Sequence, residues 1–214
     1  MVFQLYYLQH EGVLLDKVLY LCFLKACKIV GDIWYVKLVH IQIISNMLAS
    51  DDTIVNSLLD AYSRCPDMTD AHKLFEETSM KSVVSWNSMV AGYANHGQNL
   101  IAIELYNKMC QSDKQADRVN YLSVMKACAK LGSSLHAKEV HDHIIRAGFE
   151  EDTTIANSVI NMYAKCGVLN EASKVFYTLP NKDILSWGAI MHGYACNGSL
   201  SGQIRQCLQA IEQQ

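Results

Sequence analysis

The sequence predicts an all-α fold, a right-handed α-solenoid of stacked helix-turn-helix repeats. Three observations carry this expectation. The stretch "VVSWNSMVAGYANHG", Val83 to Gly97, returns as "ILSWGAIMHGYACNG", Ile184 to Gly198, 101 residues later. The same shift pairs Cys27 with Cys128, His40 with His141, Asp51 with Asp152, Asn56 with Asn157, Tyr62 with Tyr163, Cys65 with Cys166 and Phe75 with Phe176 without a gap. A displacement held over so many positions marks a repeat array. Finally, half of the 214 residues are apolar and only Pro66 and Pro180 interrupt them, a composition that folds and favours helix.

The 101-residue cycle divides into segments of 35, 31 and 35 residues. Residues 1–16 read as the tail of an earlier 35-residue repeat, the second half of a helix and a turn. They hold Glu11 and Asp16 and no Lys or Arg before Lys17, which speaks against a signal or transit peptide. Repeats then run 17–51, 52–82, 83–117, 118–152 and 153–183. Residues 184–214 form a partial or degenerate repeat, because "SLSGQIRQCLQAIEQQ" matches a second helix poorly.

Each repeat reads as two helices. In 83–117, Gly97 breaks the first helix and Leu100, Ile103, Leu105, Tyr106 and Met109 make the second stripe. In 153–183, Ile155, Val159, Ile160, Met162 and Tyr163 recur at helical spacing and Gly167 breaks the pattern. Asn170 is then positioned to cap a second helix through Ala172, Val175 and Phe176, which Pro180 stops. Neither pair can bury its apolar face alone; stacking neighbours does so.

Composition bounds the function. No window approaches eighteen uninterrupted apolar residues, so no membrane span is expected. The formal net charge of −3 lacks the basic excess that usually accompanies phosphate binding, although it leaves room for a locally basic face. Eight cysteines occur without any C-x-x-C. Cys27, Cys65, Cys128 and Cys166 sit among helical apolar residues and read as reduced, small hydrophobes.

The quoted motifs resemble the pentatricopeptide repeat family, in its plant class that alternates P, L and S motifs. "SWN", "GYA" and a closing Gly carry the P type. "LKAC" and "MKAC", each followed by "VH", carry the L type, and "NSLLDAYSRC" and "NSVINMYAKCG…EASKVF" the S type. On this resemblance 1–16 is a partial P-type repeat, 17–51 and 118–152 are L-type, 52–82 and 153–183 S-type, 83–117 P-type and 184–214 a degenerate P-type. Some family features are missing. "LLD", "ASD", "QAD" and "EED" lack the proline that usually precedes the closing Asp, Pro66 replaces a turn glycine, and Gly188 stands where Asn87 does one cycle earlier.

The resemblance implies that each repeat faces one nucleotide of single-stranded RNA, a known mode of recognition. The fifth residue of the first helix and the last residue of the repeat choose the base. Those pairs are Asn56 with Ser82, Asn87 with Asp117 and Asn157 with Asp183. In the L-type repeats they are Leu21 with Asp51 and Leu122 with Asp152, and leucine cannot read a polar base edge. Residues implied to pack on base faces are Val18, Thr53, Val84, Val119, Thr154 and Leu185. Arg64, Lys130 and Lys165, near the ends of first helices, are candidates for phosphate. An acceptor-only Asp suits uridine N3–H, and a Ser hydroxyl can donate to cytidine, so the implied site is pyrimidine-rich, 5′-N-C-U-N-U-3′. The residues alone leave a plainer reading open, in which each Asn and Asp serves as a helix cap.

The resemblance also implies a role in organellar RNA processing, or recognition for cytidine-to-uridine editing with editing-complex proteins as partners, in mitochondrion or chloroplast. Neither the H-x-E nor the P-C-x-x-C of a zinc deaminase occurs in the sequence, so no catalysis and no cofactor are expected of this chain. His136, His141 and His143 cluster near Glu139, but His40 occupies the position equivalent to His141, which marks a framework residue rather than a metal ligand. A non-catalytic protein-binding scaffold of tetratricopeptide type is the alternative. Against that family stand Val90, where its pattern needs glycine, and the 31-residue repeats.

Overall fold

The computed structural model describes residues 16–112 and 114–198. The predicted helix tail over 1–15 and the second helix of the last repeat lie outside the described residues. The chain divides into two compact units, Met1–His96 and Gly97–Gln214. Among the described residues every regular element is an α-helix.

The first unit holds α1 (Lys17–Val30), α2 (Ile33–Ser45), α3 (Asp52–Tyr62), α4 (Thr69–Glu77) and α5 (Val83–Asn95). The first helices α1, α3 and α5 pack in a row; α2 and α4 each bridge the first helix before and the one after. The second unit holds α6 (Asn99–Gln111), α7 (Arg118–Leu131), α8 (Ser134–Arg146), α9 (Thr153–Lys165), α10 (Leu169–Thr178) and α11 (Ile184–Cys196). There α7, α9 and α11 make the row, α6 packs on α7, and α8 and α10 bridge as α2 and α4 do.

The packing explains why the chain repeats its wording. Trp86 meets Phe75 edge-on with ring centroids 4.8 Å apart, and Trp187 meets Phe176 at 4.7 Å. Such a pair contributes about 0.5–1.5 kcal/mol beyond the area it buries. Lys81 and Lys182 lie over the same phenyl rings. Ser85 and Ser186, both buried, donate backbone N–H bonds to Ser82 and Asp183, closing the start of each helix. A Cβ on Gly92 would stand 2.7 Å from Met68 Cε, and one on Gly193 2.7 Å from Ala164 Cβ, so only glycine lets the helices approach this closely. Tyr93 Oη lies 2.9 Å from His72 Nδ1, and Tyr194 Oη 2.7 Å from Ser173 Oγ.

The histidines belong to the same framework. Tyr62 Oη lies 3.0 Å from His40 Nδ1, and Tyr163 Oη 3.0 Å from His141 Nδ1, one cycle apart. Tyr106 Oη reaches His143 Nδ1 at 2.9 Å, and His136 Nδ1 lies 2.7 Å from Ser133 Oγ. Each ring is therefore committed to a helix contact. Burial of Cys128 pushes its thiol up to about 12, keeping it neutral, and Cys27 and Cys65 are also buried and raised.

Two local readings change. Asn170 does not cap α10: the helix begins at Leu169, its N-cap is Val168, and Asn170 is an exposed residue of the first turn. The Gly167 turn closes with Val168 N–H donating to Tyr163 O at 2.9 Å, which starts the next helix one residue sooner than the cap pattern suggests. Pro66 also shortens its helix. The N–H groups of Arg64 and Cys65 fold back onto Ala61 and Tyr62 carbonyls, so α3 ends at Tyr62, whereas its counterpart α9 continues to Lys165.

Candidate nucleic-acid interface

The second residue of each repeat is exposed without exception. Val18, Thr53, Val84, Val119, Thr154 and Leu185 all stand in solvent, while the following residues Ile54, Ser85, Asn120, Ile155 and Ser186 are buried. Within each unit these valine, threonine and leucine side chains are held out of the core and are available to a flat partner.

Asn56, Asn87 and Asn157 are half-buried, each on a first helix. The closing residues Asp51, Ser82, Asp117, Asp152 and Asp183 are all N-caps of the next first helix. Capping therefore holds for each. Ser82 Oγ donates to Asn56 Oδ1 at 3.0 Å while accepting the Ser85 N–H. Asn157 Nδ2 donates to Asp183 Oδ1 at 3.2 Å, and the same oxygen takes Ser186 N–H and Oγ–H. The Ser186 bonds, with Asn157, hold the Asp183 carboxyl below the usual carboxylate range. Asn87 belongs to the first compact unit and Asp117, bonded to Asn120 N–H, to the second.

The two bonded pairs present opposite chemistry. Ser82 consumes the oxygen of Asn56 and leaves Nδ2 without a partner among the described residues. Asp183 consumes the nitrogen of Asn157 and leaves Oδ1 buried and unpartnered among them. The closing residue thus sets which end of the asparagine amide it engages. A groove of about 460 Å³ opens between α9 and α11, lined by Thr154, Asn157, Asp183, Leu185, Gly188 and His192 among others. The Asn157–Asp183 pair and the exposed Thr154 and Leu185 share this groove.

The repeats that begin at Lys17 and Arg118 differ in a way the sequence reading passed over. Lys17 Nζ bonds Asp51 Oδ2 at 2.7 Å, and Arg118 Nε pairs with Asp152 Oδ2 at 3.1 Å. In both, Oδ1 caps the next helix. The signal was available: 34 residues before each of these aspartates stands a cation, whereas the other repeats begin with Asp52, Val83, Thr153 and Ile184. Leu21 and Leu122 are half-buried. Arg64, Lys130 and Lys165 are exposed where first helices end.

A stack of two-helix repeats, with a polar pair at the start of successive first helices, defines a helical-repeat binding protein. The sequence matches the PPR repeat family over residues 81–130 and the PPR repeat over 53–82, 119–149 and 154–184. The chain belongs to this family, the pentatricopeptide repeat proteins. It is 30% identical over 91% of its length to pentatricopeptide repeat-containing protein At2g03380, mitochondrial, of Arabidopsis thaliana, of which it covers 28%. It is 32% identical over 87% of its length to At1g15510, chloroplastic, of the same plant and family, of which it covers 22%. The chain thus spans about a quarter of these curated relatives. The crystal structure of the pentatricopeptide repeat protein PPR10 from maize matches 98% of the chain at 20% identity with a TM-score of 0.75, over 30% of that protein. PPR10 in complex with an 18-nt PSAJ RNA element matches 98% of the chain at 18% identity and TM-score 0.55, over 42% of that chain. The fold is the α-solenoid of this family.

Proposed function

We propose that this chain is part of a non-catalytic array that binds single-stranded RNA in sequence, one base per repeat. The observation that carries it is the Asn157–Asp183 pair at 3.2 Å in a groove flanked by exposed Thr154 and Leu185. A base entering that groove meets an acceptor without hydrogens, the Asp183 carboxylate. Uracil N3–H supplies a donor, whereas cytosine N3 is itself an acceptor and is repelled. At Asn56 and Ser82 the free Nδ2–H₂ suits cytosine N3. The family resemblance of the sequence assigns Asn87 and Asp117 to a second uridine, which gives the preferred site 5′-N-C-U-N-U-3′. First helices beginning at residues 17, 52, 83, 118, 153 and 184 support the alternating P, L and S class. Relatives named mitochondrial and chloroplastic, and an RNA-bound PPR10, support a place in organellar RNA processing or in the recognition step of cytidine-to-uridine editing.

Titration of the chain against a labelled RNA carrying 5′-A-C-U-A-U-3′ at two salt concentrations tests this. Saturable binding is expected. If Arg64, Lys130 and Lys165 each meet a phosphate, log K falls against log salt with a slope of about −2. Binding that never saturates, or that purine RNA matches, contradicts the reading.

A further inference from the structure

We infer that Lys17 and Arg118, the first residues of the two L-type repeats, are specificity-determining residues that mask the closing aspartates Asp51 and Asp152 from the bases opposite them. The inference rests on the base-reading function proposed above. It starts from a difference between carboxylates at equivalent positions. At Asp183, Oδ1 takes the bonds from Asn157 and Ser186, Leu185 N–H also favours the carboxylate, and no cation pairs with it among the described residues. At Asp51, Oδ1 accepts from Thr53 and Ile54 N–H, and Oδ2 is held by Lys17. At Asp152, Oδ1 accepts from Thr154 and Ile155 N–H, and Arg118 spans both oxygens, Nε to Oδ2 at 3.1 Å and Nη2 to Oδ1 at 3.3 Å.

The cation does two things. It occupies an oxygen that no cation holds at Asp183, and it neutralises the charge that would select a donor. Lys17 also reaches Thr53 Oγ1 at 3.3 Å, tying the masked carboxylate to the neighbouring exposed second residue. Leu21 and Leu122 remove the amide from these repeats. The ion pair removes the carboxylate as well, so each L-type repeat passes over its base by two separate devices. The masking is local, because an exposed ion pair of this kind contributes little to stability. Removing it should therefore spare the fold.

The test restores reading in repeat 118–152. Leu122→Asn, Arg118→Val and the double variant are titrated with labelled RNA carrying A-C-U-X-U, where X is each of the four bases. Valine is what Val83 supplies at the same place in another repeat. Circular dichroism confirms that each variant is helical, and Asp183→Ser, read at the fifth base, serves as the control. The parent and Leu122→Asn alone should rank the four bases at X within about twofold, while the double variant should favour uridine about tenfold. Masking is overturned if Leu122→Asn alone favours uridine as strongly as the double variant. It is equally overturned if the double variant stays flat while Asp183→Ser changes the fifth base. If Asp183→Ser changes nothing either, the base-reading function itself fails and the inference falls with it.

Discussion

Asn157 and Asp183 stand 26 residues apart in the chain and 3.2 Å apart in the fold, the amide of one donating to the carboxylate of the other. The bond exists because successive first helices pack side by side, so the end of one repeat meets the start of its own first helix across the N-cap of the next. The same spacing brings Ser82 to Asn56, with the donor reversed. Helix caps and the proposed reading surface share one set of residues.

The framework predicts a pH dependence. Burial holds His40 and His141 below the ordinary imidazole range, against the opposing pull of Asp70 and Glu77 on one and Asp142 and Glu171 on the other. Each holds a tyrosine hydroxyl 3.0 Å from Nδ1. The unfolded chain takes up these protons first, near pH ~6.5, so stability falls as pH drops through that value and keeps falling until the folded rings protonate. The urea midpoint should fall between pH 7 and 5.5. A His40→Gln/His141→Gln variant should lose less over that interval. Carboxylates with lowered values, Asp51, Asp67, Glu171 and Asp183, lose their contribution only at more acid pH.

Gly193→Ala should destabilise the second unit by about 1–3 kcal/mol, because the new methyl would stand 2.7 Å from Ala164 Cβ, an atom fixed to backbone. Gly188→Ala, whose Cβ meets nothing within 4 Å, is the matched control and should be neutral or slightly stabilising. Equal urea midpoints for the two variants would remove close packing as the reason for the repeated "GYA".

Met47 has φ 59°, where its counterpart Gly148 has φ 75°. A methionine in the left-handed region costs about 1–2 kcal/mol, and this one is fully in solvent, so no packing offsets it. Met47→Gly should raise stability by about 1 kcal/mol. Thermal unfolding followed by circular dichroism checks this; an unchanged midpoint would mean the turn is unstrained.

Much of this was legible in the sequence, and the reasons are local. The 101-residue shift marks residues that touch the same partner in each cycle, as Trp86 on Phe75 and Trp187 on Phe176 do. Helix stops at Gly167 and Pro180 follow from backbone sterics and needed no tertiary information. Asn170 misled because a capping residue competes with the preceding turn, and the turn bond from Val168 to Tyr163 decided the start. The Lys17–Asp51 and Arg118–Asp152 ion pairs join residues 34 apart, a distance over which periodicity of single helices gives no warning. The opposite orientation of the Asn56 and Asn157 amides likewise needs the hydrogen bonds themselves.

The most direct measurement is the base preference of the Asp183→Ser variant. Serine is itself a good N-cap, so α11 keeps its start. A hydroxyl donor in place of the carboxylate should take Asn157 Oδ1, as Ser82 takes Asn56 Oδ1, and leave the amide nitrogen facing the base. Competition binding with A-C-U-A-X RNA should then move the fifth-position preference from uridine to cytidine by about tenfold, with cytidine at the second position still preferred. A variant that folds, binds, and ranks the fifth-position bases as the parent does would contradict the reading of this groove.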